Sequence, residues 1–107
     1  MIIDFHTHTF PDRIAAAAID KLKHASHTKP FSDGTAVGLA ASMKASGVDA
    51  SIVLPVATNP LKAAAMNDAA LSMTKGTKLI SFGAIHPDTP NAKEELKRIA
   101  GMGFKGI

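Results

Sequence analysis

Short apolar runs alternate along the chain with longer segments in which apolar residues recur every three or four positions. The runs at residues 2–6, 50–56 and 78–85 predict strands, and the run at 50–56 is apolar enough for a strand buried on both faces. Helices are predicted within residues 10–24, 35–46, 59–76 and 89–103. Buried strands that alternate with helices of this length indicate an α/β fold, in which right-handed βαβ units build a parallel sheet. We expect the strands at 2–6, 50–56 and 78–85 to be adjacent in that order.

Residues at the helix ends support this assignment. Asn59 is suited to cap the third helix, and Pro60 then occupies its first position, where the missing N–H of proline costs nothing. Gly47 stands where the second helix should end in a left-handed residue.

The spacing of the strands favours a barrel. The second, third and predicted fourth strands begin near residues 50, 78 and 104, so one unit takes 26 to 28 residues. Eight such units would fill the roughly 250 residues of a (β/α)8 TIM barrel. We therefore expect residues 1–107 to form a single partial domain of three to three-and-a-half βα units, the N-terminal part of such a barrel. A compact four-stranded doubly wound domain is the alternative, less favoured because a complete domain rarely ends within a strand.

Composition narrows the chemistry. With 46% hydrophobic residues the chain has enough apolar surface for a core, and without cysteine its metal ligands are limited to His, Asp and Glu. The net charge is +3, but lysines and arginines are scattered without a basic stripe, so no nucleic-acid partner is expected.

The start lacks a basic signal-peptide region and no apolar stretch approaches about 20 residues, so we expect a cytoplasmic protein without a membrane partner.

The stretch IIDFHTHTF places two histidines at the end of the first predicted strand. Strict alternation along that strand puts Ile2, Asp4, His6 and His8 on one face and Ile3, Phe5 and Thr7 on the other. In a barrel the first face points into the lumen, and the histidines reach its C-terminal mouth. Two imidazoles on one face can converge on one divalent cation. The alternative is a pair of polar side chains that merely end a strand.

Other histidines are weaker candidates. His86 follows the strand at 78–85 and should lie at the same mouth, where it would line the substrate pocket or orient a ligand. It would otherwise be a loop residue that shapes the turn before the last helix. His24 and His27 fall at a helix end and in a loop, which does not favour metal binding. Asp4 lies about 6.6 Å below His6 at strand rise, too far to complete a metal shell easily.

Three segments resemble one enzyme family: IIDFHTHTFPDRIAAAAIDKL, DGTAVGLAASMKASGVDASIVLPVAT and FGAIHPDTPNAKEELKRIAGMGFKGI. They are similar to the N-terminal portion of the amidohydrolase-2 type metal-dependent hydrolases, relatives of aminocarboxymuconate-semialdehyde decarboxylase in the amidohydrolase superfamily. This resemblance implies a TIM barrel and a divalent metal, usually zinc, bound by His6 and His8. The further metal ligands would lie on strands beyond these residues. A small-molecule substrate with an amide, ester or lactone bond, or a carboxylate lost without oxidation, would be expected.

Two other functions stay open. Residues 32–34, SDG, resemble a turn in phosphoesterases of the polymerase-and-histidinol-phosphatase type, although there the turn follows the histidines at once and here about 24 residues intervene. The contrasting class is a non-catalytic half-barrel module, whose open edges would pair with the missing half of the barrel or with a second copy in a homo-oligomer. Because His6 and His8 leave a zinc site short by at least one ligand, this chain alone should bind zinc weakly and catalyse nothing.

Overall fold

The computed structural model describes residues 1–107 and contains three strands and four α-helices. In chain order these are β1 (Ile3–Thr7), α1 (Asp12–Ser26), α2 (Ala36–Ser46), β2 (Ala50–Val53), a 3₁₀ turn (Pro60–Lys62), α3 (Ala63–Thr74), β3 (Leu79–Ser81) and α4 (Ala92–Gly101). None of the helices combines the length and the apolar character that crossing a membrane requires.

The three strands form one parallel sheet in the order β1-β2-β3, which confirms the predicted order and direction. Both later strands are shorter than predicted. The regular part of β2 stops at Val53, because Pro55 has no N–H to donate to a neighbouring strand. Three parallel strands and four helices establish the α/β class, and they fit a partial barrel as well as an open doubly wound sheet.

Residues 104–107, predicted to begin a fourth strand, do not form a strand. The N–H of Gly83 donates to the carbonyl oxygen of Gly106 at 2.8 Å, just beyond the end of β3. The last residues therefore run beside the continuation of β3 without forming a regular ladder.

The register between β1 and β2 contains an irregularity that strict alternation does not anticipate. Asp4 is in register with Ser51, whereas Thr7 is in register with Val53, so three steps on β1 match two steps on β2. Ser51 and Val53 share one side of the sheet, and so do Asp4 and Thr7. The prediction that Asp4 shares a face with the histidines is therefore wrong, because the extra residue reverses the alternation between Asp4 and Thr7.

The core lies where α2 meets the sheet. Met43 of α2 packs with Val53 and Leu79, and Leu39 and Val48 close around them. Ser51, Ile52 and Val53 are consecutive and all buried, so both faces of β2 are covered, as predicted for this strand. The predicted end of α2 is confirmed, since Gly47 has a φ of 70°. Asn59 also caps a helical turn by accepting the N–H of Leu61, but this is the 3₁₀ turn Pro60–Lys62, and α3 begins only at Ala63, with no side-chain cap.

Candidate metal centre

The end of β1 is fixed to β2 by hydrogen bonds on both sides of Thr7. Its hydroxyl donates to the carbonyl oxygen of Ile52 at 2.8 Å, and its own carbonyl accepts the N–H of Leu54 at 2.8 Å. Because Thr7 lies on the side of Val53, the flanking His6 and His8 lie on the opposite side of the sheet. The strand thus presents both imidazoles on one side while the threonine between them anchors the backbone.

The two imidazoles converge. Their Nε2 atoms are 3.2 Å apart, with ring centroids at 5.0 Å and ring planes at 80°. Two nitrogens bound at 2.0–2.1 Å to one tetrahedral zinc ion are about 3.3–3.4 Å apart. The separation of the Nε2 atoms of His6 and His8 is therefore close to that of two ligands of one metal ion. Both side chains are exposed, so an ion in solution can reach them.

A hydrogen bond sets the tautomer of His8. Its Nδ1 atom lies 2.7 Å from the carbonyl oxygen of Leu54, and since a carbonyl only accepts, Nδ1 carries the proton. The Nε2 atom of neutral His8 is then unprotonated, and its lone pair is available on the side of His6. Metal-binding histidines are commonly oriented in this way, by a second hydrogen bond from the ring nitrogen that does not bind the metal. Without a metal, the same lone pair can accept a hydrogen bond from Nε2 of His6.

Residues 1–107 place no third metal ligand beside His6 and His8. No group of three or more His, Cys, Asp or Glu side chains is placed to hold a metal ion. Oδ1 of Asp4 accepts the backbone N–H of His6 at 3.1 Å, which supports the irregular part of β1 instead.

His86 lies in the loop before α4, where it shapes a turn. Its N–H donates to the hydroxyl of Thr89 at 3.1 Å, its carbonyl accepts the N–H of Thr89 at 2.9 Å, and its Nδ1 accepts the N–H of Asp88 at 3.1 Å. These bonds match the alternative interpretation of His86 as a turn residue. Its proposed contact with substrate stays a prediction.

The remaining histidines act at the end of α1. Nδ1 of His24 donates to the carbonyl of Asp20 at 2.7 Å, and His27 ends the helix in a left-handed conformation with φ of 54°. Neither belongs to a metal-binding group.

The SDG turn at 32–34 builds the start of α2. Oδ1 of Asp33 accepts both the N–H and the hydroxyl of Thr35 at 2.9 Å, and the Thr35 hydroxyl in turn accepts the N–H of Gly38. The N–H of Thr35 holds the pKa of Asp33 below its ordinary value, with help from the hydroxyl. The carboxylate thus orients Thr35, the residue that caps α2.

A buried polar cluster that the sequence does not reveal connects α3, α4 and the segment after β3. The side chain of Asn67 is completely buried, and its Nδ2 donates to the carbonyl of Ala84 at 3.0 Å and to Oε1 of Glu95 at 2.8 Å. Its Oδ1 accepts the N–H of Ala84 at 2.9 Å. The side-chain amide of Asn67 therefore satisfies both the N–H and the carbonyl of Ala84.

Arg98 completes this cluster from the solvent side. Its Nε and one terminal nitrogen donate to the two carboxylate oxygens of Glu95 at 2.8 and 2.9 Å, and the other terminal nitrogen donates to Asp68 at 2.6 Å. The guanidinium lowers the pKa of Glu95, and the two carboxylates, Glu95 first, raise the pKa of Arg98. The spacing of three residues between Glu95 and Arg98 was the one available signal, because such residues are neighbours on a helix surface. The cluster holds α3, α4 and the segment after β3 together.

Comparison of this chain with protein-family models, with curated proteins and with solved structures found no match.

Proposed function

We propose that His6 and His8 supply two ligands of a catalytic zinc ion in a metal-dependent hydrolase of the amidohydrolase type, and that this chain forms the first βα units of its TIM barrel. The observation that carries the proposal is the convergence of the two Nε2 atoms at 3.2 Å, with Nδ1 of His8 bound to the carbonyl of Leu54. The parallel order of β1, β2 and β3 supports the barrel, since it is the order that the first strands of a barrel would have.

The residues of this chain would hold and orient the metal. Zinc bound here would lower the pKa of its water to about 7 and polarise a carbonyl, which is the chemistry of amide, ester or lactone hydrolysis. His8 would bind through Nε2 because Leu54 holds its other nitrogen protonated. A catalytic zinc usually takes three protein ligands, so at least one more comes from outside the described residues in this proposal.

Zinc titration of the chain tests the metal site. We expect weak binding by calorimetry that falls at least about tenfold in His6→Gln and in His8→Gln, because each substitution removes a ligand nitrogen. His24→Gln is the matched control, as His24 is an exposed histidine whose Nδ1 is likewise bound to a carbonyl. Equal zinc affinity in all four proteins would overturn the proposal.

The reaction class is tested on the protein as its cell produces it, purified with its metal. Hydrolysis of cyclic amides, esters or lactones that is lost on metal removal supports the proposal. Release of carbon dioxide from aromatic carboxylates would assign the non-oxidative decarboxylase instead. Metal-dependent release of phosphate from phosphomonoesters alone would assign the phosphoesterase.

A second candidate, a non-catalytic assembly module, is favoured by the exposed edge strand β1. This strand pairs only with β2, so its other edge is free, and Ile2 and Phe5, just before and within β1, are 57% and 67% exposed. Light scattering over a range of concentrations should then show a mass that rises with concentration and reverts to the monomer in Phe5→Lys. Phe31→Lys is the control, because Phe31 is 93% exposed in the loop between α1 and α2 and belongs to no strand. A constant monomer mass would exclude this function.

A further inference from the structure

We propose that the groove between α1 and α3 is a binding site for a small amphipathic carboxylate with an unbranched apolar tail, the chemistry of a medium-chain fatty acid. The groove has a volume of about 440 Å³, and nine of its fifteen lining residues are hydrophobic. Ligand pockets typically have volumes of roughly 300–1,000 Å³, are mostly apolar and contain a few polar groups. The groove does not include His6 or His8, so the inference is independent of the proposed metal site.

The charged side chains of the groove favour an anionic ligand. Arg13 and Lys62 line it, and none of its lining residues is Asp or Glu. Neither Arg13 nor Lys62 forms an ion pair or a side-chain hydrogen bond. By contrast, Arg98 elsewhere in the molecule forms ion pairs with Asp68 and Glu95. Two free cations beside apolar surface match a carboxylate, and a guanidinium can bind both carboxylate oxygens.

The two cations lie at the same end of the groove. Arg13 is the second residue of α1, which follows β1, and Lys62 directly precedes α3, which follows β2. Because β1 and β2 are parallel and neighbouring, α1 and α3 both start from the C-terminal edge of the sheet. The partial positive charge at the start of each helix adds to the attraction for a carboxylate.

A buried hydroxyl supplies the independent evidence for a ligand. Thr9 lines the groove and is only 6% exposed, yet its Oγ1 atom has no hydrogen-bond partner. Leaving a buried polar group unpaired costs about 1–3 kcal/mol, and such groups are rare in folded proteins. Because Oγ1 is shielded from solvent, the Thr9 side chain would rotate toward the groove on binding, and Oγ1 would then donate to a carboxylate oxygen at this end.

The other end of the groove is apolar. Ala18, Ala70 and Met73 line it further along the two helices, and Met73 lies eleven residues beyond Lys62, about 16 Å along the α3 axis. Ile14 lines the middle and is 45% exposed, which leaves large apolar surface in contact with water. Methionine adapts its shape to flexible partners. A tail that extends from the cations toward Met73 would cover this surface.

Titration with decanoate, followed in ¹H–¹⁵N NMR spectra of the full chain below the micelle concentration, tests the proposal. We expect saturable shifts at Thr9, Ile14 and Met73, and no saturable shifts with acetate or with decanol. Affinity should fall at least tenfold in the Arg13→Gln/Lys62→Gln double variant and severalfold in Thr9→Val. Lys97→Gln, on the exposed surface of α4, is the control and should bind like the unmodified chain.

Three results would overturn the proposal. These are equal affinity for decanoate in the double variant, equal affinity for decanol in the unmodified chain, and shifts that spread over the surface without saturation. Thermal melts show whether each variant is folded. If the double variant does not fold, the affinities of Thr9→Val and Lys97→Gln for decanoate are compared instead, and equal affinities would overturn the proposal.

Discussion

His8 donates a hydrogen bond from Nδ1 to the carbonyl oxygen of Leu54 at 2.7 Å, and this bond connects the candidate metal centre to the residue that follows β2. The segment after β2 therefore contributes to the site although it provides no ligand. Any change that shifts β1 along β2 should rotate the His8 ring and weaken metal binding.

Thr7 is the residue that most directly controls this register, since its hydroxyl donates to the carbonyl of Ile52 at 2.8 Å. We expect Thr7→Val to lose about 1 kcal/mol of unfolding free energy and to lower zinc affinity about tenfold. Thr7→Ser keeps the hydroxyl and should retain most of the zinc affinity. Calorimetric titration of both variants measures this, and equal zinc affinities would show that the hydroxyl does not position the histidines.

Asn67 should be among the most sensitive positions for stability. Asn67→Ala removes three hydrogen bonds and leaves the backbone of Ala84 unpaired, so we expect a loss of about 2 kcal/mol or more. Asp68→Asn weakens only the exposed ion pair with Arg98, which should cost less than about 1 kcal/mol. Urea unfolding of the two variants measures the difference, and similar losses would contradict the structural role of Asn67.

The Glu95 and Arg98 pair predicts acid sensitivity. Arg98 lowers the pKa of Glu95 below its ordinary value of 4.5 in the folded state. A lowered folded-state pKa means that the stabilisation is fully present above about pH 4.5 and is lost as the pH falls through the folded-state pKa. Asp33 contributes in the same direction, because its pKa is also lowered.

Glu95→Gln should accordingly be less stable than the unmodified chain at pH 7 and lose less of its stability on acidification. Glu94→Gln is the matched control, since Glu94 is exposed on the same helix turn and makes no side-chain hydrogen bond. Urea midpoints between pH 7 and 3 measure the slope. An unchanged slope in Glu95→Gln would mean that the pair does not contribute to the pH dependence.

Gly34 holds the loop before α2 against α1. Its φ is 77°, and an added Cβ would lie 2.6 Å from Cγ1 of Ile19. Gly47 has a similar φ of 70° but no atom within 4 Å of such a Cβ. Gly47→Ala should cost about 1 kcal/mol from backbone strain, and Gly34→Ala about 1–3 kcal/mol more from overpacking. The difference in unfolding free energy between Gly34→Ala and Gly47→Ala, measured by thermal unfolding, isolates the cost of the contact with Ile19. Equal losses in the two variants would show that Ile19 does not pack against Gly34.

The features that could be predicted from the sequence depend on neighbours in the chain. The strand order, the Asn59 cap and the Gly47 helix end follow from apolar runs and from the conformational preferences of single residues. The convergence of His6 and His8 also belongs here, because side chains two apart on a strand point to the same side.

The features that could not be predicted depend on partners far along the chain. The irregular pairing between Asp4 and Thr7 is set by β2, more than 40 residues away, and it moves Asp4 off the face of the histidines. The bond from Asn67 to Glu95 joins residues 28 apart, and no local pattern marks either as a partner.

The most direct test of the metal centre is the ¹⁵N NMR spectrum of the histidine rings of the chain, recorded before and after addition of zinc. We predict that neutral His8 carries its proton on Nδ1, and that zinc shifts the Nε2 signals of His6 and His8 together while those of His24 and His86 stay in place. A proton on Nε2 of His8, or a zinc response that leaves His6 and His8 unchanged, would contradict this prediction.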